Sequence, residues 1–201
     1  MKEKIFFYRI LPIICLVFLN ACASTTQFNS VWKDETYQGG PLKKVLIVGA
    51  AKEPEIRTYF EEIFAQQLKT RGVYAVPSSI VLPESELLEK ETVIKIVNEL
   101  GIDSVLVTKL VDVKDVGEYE THPINVRGGY YGYYKQSYQT VSSGRNVVLI
   151  TRIFDAKSEK LIWSALSETL LEVNIESVVD SFISAIMQHL EEEKLIPKIN
   201  G

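Results

Sequence analysis

The chain is poor in cysteine, histidine and glycine, and each shortage removes a class of chemistry. Among 201 residues there are two cysteines, Cys15 and Cys22, and two histidines, His122 and His189. Neither histidine has a second histidine or a cysteine at ligand spacing, so no metal site is expected. Gly49, in "VLIVGAAKEPEIR", is the single glycine where a strand passes into a helix. A dinucleotide fingerprint needs three, for the turn, the pyrophosphate and the helix packing. Lys52 does not follow a glycine-rich loop that could cradle phosphate. Ser142, Ser143 and Gly144 lack the Gly-x-Ser-x-Gly spacing of a nucleophile elbow. The acidic pairs Glu61/Glu62 and Glu118/Glu120 suit charged helix faces and hairpin edges better than acid–base work. No nucleophile, base and orienting group can be assembled, so no catalytic residue, no cofactor and no enzyme are expected.

Long apolar runs are also missing. The longest, Ile10–Leu19, has ten residues, contains Pro12 and ends at Asn20. A membrane span needs about 20. Lys2, Lys4 and Arg9 precede the run and the small residues "NACA" follow it, the layout of a secretory signal peptide over residues 1–21. "LNAC", Leu19 to Cys22, resembles a bacterial lipobox, with Asn20 an unusual residue at its second place. The resemblance implies that Cys22 carries diacylglycerol on sulfur and becomes the mature N-terminus, often with a further acyl chain on its amine. Two or more acyl chains hold a protein to a bilayer where one does not. Ala23 stands where an aspartate would favour the inner membrane, so the resemblance points to the cell envelope and the periplasmic face of the outer membrane. With Cys15 removed and Cys22 lipidated, no thiol remains for a disulfide, a zinc site or a nucleophile.

Net charge is equally uninviting to nucleic acid. The formal charge is −4, and the leader holds three cations against Glu3, so the remaining chain carries −6. An acidic domain has no general pull on phosphate backbones or anionic lipid.

What is present is a folded composition, 46% hydrophobic and 24% charged. Residues 22–40 read as the lipidated N-terminus and a tether, polar in "ASTTQFNSV", with Trp32 placed to lock the incoming segment onto the domain. Residues 41–201 read as one domain. "KKVLIVGA" is a buried strand. Ile56, Phe60, Ile63, Phe64 and Leu68 recur at helical spacing between Pro54 and Gly72. "VYAVP" is a short strand and "SSIVLPESELLEKE" a connector. Val93, Val97 and Leu100 mark a second helix ending at Gly101. Asp103–Val116 reads as a long strand, and Arg145–Asp155 with Leu161–Leu170 as a hairpin, with Trp163 in the core. Val178, Val179, Phe182, Ile186 and Leu190 stripe a last helix over residues 175–195, whose C-terminal turn is crowded by Glu191, Glu192 and Glu193 against the helix dipole. The fold class is therefore α/β, in the order β-α-β-α-β-β-β-α: a mixed sheet with parallel first strands, an antiparallel hairpin and packed helices.

This order, with "KKVLIVG" early and "FDAKSEKLIWS" late, resembles lipoproteins of the TolB N-terminal or CsgG-like α/β class. The stretch "VWKDETYQGGPLKKVLIVG" resembles still more a family of bacterial outer-membrane lipoproteins of unassigned activity. The resemblance implies a non-enzymatic envelope module acting in assembly or secretion, and it supplies no catalytic residues.

Between the third and fourth strands of that order, residues 117–144 hold "VRGGYYGYYKQSY". A loop longer than about 12–15 residues in a compact domain is usually functional or disordered. Tyr130, Tyr131, Tyr133, Tyr134 and Tyr138 offer amphipathic contact area, and the interleaved glycines allow close approach. Two readings stand: tyrosines packed across an extended hairpin, or a tip that binds a partner. Nucleic-acid stacking would need a basic groove, and Arg127, Lys135 and Arg145 stand alone. The expected partners are the membrane, through the lipid, and either an envelope protein or polymer or further copies of the chain. The alternative is a small-ligand protein or enzyme with a pocket at the strand ends.

Overall fold

In a computed structural model, the described residues are 26–51, 53–82, 90–111, 129–130, 146–170 and 174–199. They form ten elements: β1 (Thr26–Lys33), β2 (Lys44–Ala50), α1 (Pro54–Thr70), β3 (Tyr74–Pro77), α2 (Ser78–Val81), α3 (Lys90–Glu99), β4 (Ser104–Val111), β5 (Asn146–Asp155), β6 (Leu161–Leu170) and α4 (Ile175–Glu192). The strands make one six-stranded sheet in the order β1-β6-β5-β4-β2-β3. β2 runs parallel to both β3 and β4, while β4–β5, β5–β6 and β6–β1 are antiparallel. The mixed α/β class and the parallel first strands are as the sequence predicts.

β2 has no polar face because it has no solvent face. Val45 and Ile47 join the cluster under α1 and α4, whereas Leu46 and Val48 join Val93 and Val97 of α3 on the other side. α1 and α4 cover one face of the sheet, with Phe60, Phe64, Leu68, Phe182, Ile186 and Leu190 packed on Leu106, Ile153 and Trp163. Both α1 and α3 end in a glycine with positive φ, Gly72 and Gly101, and the following residue bonds back into the last helical turn. That cap turns each helix directly into its next strand.

Two elements differ from the sequence reading. Residues 26–33, expected within the tether, form β1, an edge strand paired to β6 from Thr26↔Thr169 to Lys33↔Trp163. Phe28 and Val31 both pack on the helix-covered cluster. They are three residues apart, which a regular strand would put on opposite faces. The register slips between Phe28 and Ser30, leaving Asn29 as an extra residue, and this bulge brings Val31 to the same face as Phe28. The second difference is α2, a single turn inside the expected connector. The continuation of β4 expected beyond Val111 lies outside the described residues.

Two of the three terminal glutamates have cationic partners that offset the helix dipole, and the third is held by an amide. Glu191 accepts from Arg71 Nε at 2.5 Å, Glu192 from Gln188 at 3.0 Å, and Glu193 pairs with Lys33 at 3.4 Å. Lys33 also donates to the Glu193 carbonyl at 2.7 Å, so α4 is tied at its foot to α1 and β1.

Candidate functional site

Open α/β sheets hold ligands at the carboxyl ends of their parallel strands. Here the β2 and β3 part of that end is occupied by the protein's own side chains. β3 stops at Pro77, opposite Ile47, and β2 runs on to Ala50. The Gly49 N–H is taken by Glu61 Oε1 at 2.9 Å. The same oxygen accepts from Arg57 Nε at 3.1 Å and from Ser78 Oγ at 2.7 Å, while Oε2 accepts from the Ser79 N–H at 2.7 Å. Arg57 also donates to Ser78 Oγ at 2.9 Å. Glu61 is 0% exposed and Arg57 4%.

Arg57 and Glu61 sit four residues apart on α1, so one helical turn presents both to the exit of β2. A buried carboxylate is tolerated when its charge is matched and its lone pairs are filled, and this one accepts four hydrogen bonds. The arrangement latches α1, the end of β2 and the start of α2 together. Ser78 has no exposed surface and its hydroxyl is committed to Glu61, so it cannot meet a substrate. Gly49 is required by packing: a Cβ there would lie 2.9 Å from Phe60 Cδ1. Glu62, the neighbour of Glu61, is exposed.

The sequence reading treated Glu61 as part of a solvated face. The signal against that was available in the spacing. Arg57, Glu61, Phe64 and Leu68 fall at intervals of four, three and four, which is one face of a helix. All four are buried.

The opposite face of the antiparallel half carries a second set of charges that the sequence reading passed over. Lys109 and Arg152 are both buried and share a sheet face with Val107, Val111, Ile150 and Phe154, each lying between two of them along its strand. Glu168 is half-buried on the same face, opposite Val148.

Of the five tyrosines singled out in the sequence, Tyr130 is described. It is 2% exposed and packs in the cluster with Val111, Val148, Phe154 and Leu166. Burial, reinforced by the nearby Glu159 carboxylate, pushes its hydroxyl up to about 12. Tyr131, Tyr133, Tyr134, Tyr138 and Cys22 lie outside the described residues, as do His122, Glu118 and Glu120. Trp163 is fully buried, as expected of a core residue. His189 is half-buried, 5.0 Å from Phe28 and 6.0 Å from Trp163 between ring centres. Its Nδ1 and the Trp163 Nε1 have no hydrogen-bond partner among the described residues. No group of three metal-ligating side chains occurs among the described residues, and no described helix is long and apolar enough to cross a membrane.

No protein-family model matches the chain, and no curated protein matches it in sequence. Among solved structures it is similar to PelC from Paraburkholderia phytofirmans, a dodecamer, at 14% identity and a TM-score of 0.45, covering 84% of this chain and 99% of that one. It is also similar to lipoprotein GNA1162 from Neisseria meningitidis, at 14% identity and a TM-score of 0.41, covering 73% of this chain and 95% of that one. At these scores neither likeness assigns a residue or an activity.

Proposed function

We propose that the chain is a non-enzymatic module of the bacterial cell envelope. Cys22 holds it by lipid at the periplasmic face of the outer membrane. It works by binding an envelope protein or polymer, or further copies of itself, during assembly or secretion. The observation that carries the choice of binding over catalysis is the Glu61 latch. Four hydrogen bonds fill the strand-end position where an α/β enzyme would hold its ligand. Anchoring is supported by "LNAC" and by the signal-peptide layout that precedes it.

The test is Cys22→Ala followed by membrane fractionation, together with photo-crosslinking in cells from Tyr133 and Tyr134. Loss of the protein from the outer-membrane fraction and a discrete crosslinked partner are expected. Retention of the variant in that fraction at unchanged mature mass would contradict the anchoring. Purified protein turning over a small molecule would contradict the binding role.

A further inference from the structure

The starts of β2 and β3, the end of α1 and the tail beyond α4 meet at one corner of the domain. The Tyr74 N–H donates to the Lys43 carbonyl at 2.9 Å, and the Leu42 N–H donates to the Leu195 carbonyl at 2.8 Å. The Gly72 N–H, two residues before Tyr74, donates to the Lys69 carbonyl at 3.0 Å. Lys198 follows Leu195 by three residues, at most about 10 Å of extended chain. Lys43, Lys69, Tyr74 and Lys198 are exposed, and Lys44 is half-buried with its Nζ 4.8 Å from the Tyr74 ring centre.

The carboxylates at this corner already have partners. Asp103 accepts from the backbone N–H groups of Lys43 and Lys44, and Glu191 accepts from Arg71. Lys43, Lys69 and Lys198 form no ion pair among the described residues. The rest of the helical layer has the opposite sign. The exposed charges on α1 before Lys69 and on α4 before Glu191 are Glu55, Glu62, Glu176 and Asp180. Charge is therefore segregated on a molecule that is acidic as a whole, and such segregation orients an incoming charged partner. The basic part also holds an exposed ring. Tyr74 is 56% exposed, although the three residues that follow it on β3 are all buried. An aromatic ring with a cation beside it gains when a partner covers it.

We infer that this corner is a docking surface for an acidic segment of a partner protein, with Tyr74 as its aromatic contact and Lys43, Lys44, Lys69 and Lys198 pairing with carboxylates around it. The lysines stand at three separate element ends about one ring, not in a row along a groove. That arrangement fits a few carboxylates beside one apolar side chain better than the repeating charge of a polyanion. The inference rests on the binding reading and limits its partner to an acidic protein.

The test titrates the full lipoprotein, in detergent, into a fluorescein-labelled peptide of alternating glutamate and valine, read by anisotropy. Saturable binding that weakens as salt rises is expected, with the glutamine–valine counterpart binding poorly. Combining Lys43→Glu, Lys69→Glu and Lys198→Glu should weaken binding about tenfold, and Tyr74→Ala about threefold. Combining Glu62→Gln and Asp180→Asn should change it by less than about twofold. Unchanged affinity in the triple lysine variant, or equal binding of the glutamine counterpart, overturns the docking surface. Tighter binding of alginate, an anionic polysaccharide, overturns the protein-segment assignment. A partner crosslinked from Tyr133 or Tyr134 of a protein that binds no acidic peptide overturns this inference alone. Turnover of a small molecule by the purified protein overturns the binding reading, and this inference with it.

Discussion

The two ends of the sheet are finished by different means. At the end where β1 stops and β5 turns into β6, two aspartates close short turns and a third, Asp103, ties the starts of β2 and β4 together. Asp34 Oδ1 accepts from the Thr36 N–H and hydroxyl at 2.8 and 2.7 Å, Asp103 Oδ2 from the Lys43 and Lys44 N–H groups at 3.0 and 2.8 Å, and Asp155 Oδ1 from the Ser158 N–H and hydroxyl at 2.7 and 2.6 Å. The Thr36 hydrogen bonds hold the Asp34 carboxyl below its ordinary range. At the other end a buried ion pair and a serine replace turn chemistry, and the described strands lead into the longer connections. Local hydrogen bonds suffice where the chain reverses over a few residues. Where β2, α1 and α2 converge, a charged side chain inside the core does the joining, and its removal is correspondingly costly.

The comparison can be broken first at the latch. Arg57→Ala leaves Glu61 as an uncompensated buried charge and should destabilise the domain by about 3–5 kcal/mol, read from denaturant midpoints. Asp103→Ala at the other end removes hydrogen bonds from partly exposed groups and should cost well under that. Gly49→Ala, which forces the Phe60 ring aside, should cost about 1–3 kcal/mol. Tyr130, near Glu159 of the β5–β6 turn, tests that end through pH. Its folded-state pKa is raised, so its contribution is complete below the unfolded value of about 10 and is lost as pH climbs through about 12. Alkaline unfolding should show a loss on the order of 2 kcal/mol across that window, and Tyr130→Phe should flatten it while leaving stability at neutral pH nearly unchanged. The smallest effect is expected at the foot of α4, where Lys194 adopts a left-handed φ of 58°. Lys194→Gly relieves that strain and should stabilise by about 0.5–1 kcal/mol.

Much of the fold was legible in the sequence because its elements are locally regular. The α1 stripe, the β5–β6 hairpin around "DAKSEK" and the glycine stops at 72 and 101 each follow one periodicity or one turn rule. β1 was not legible, since the bulge at Asn29 breaks the alternation that marks a strand, and its partner strand lies more than a hundred residues away. The latch was hidden for a related reason. An Arg–Glu pair at helical spacing reads as surface until the exit of β2 and the start of α2 are brought against it. Lys109 and Arg152 each read in the sequence as the single cation of an apolar strand, and only the register of β4 and β5 places them on one sheet face. Tyr130 reads in the sequence as a loop-tip residue, and its ring is inside the second hydrophobic cluster.

The central claim, a binding module held at the envelope by Cys22, is tested most directly by the mass of the N-terminal peptide from membrane-extracted protein. The expected peptide begins at Cys22 and carries diacylglycerol, with or without a further acyl chain on its amine. A peptide that begins at Met1, or one in which Cys22 is present and unmodified, would contradict the account.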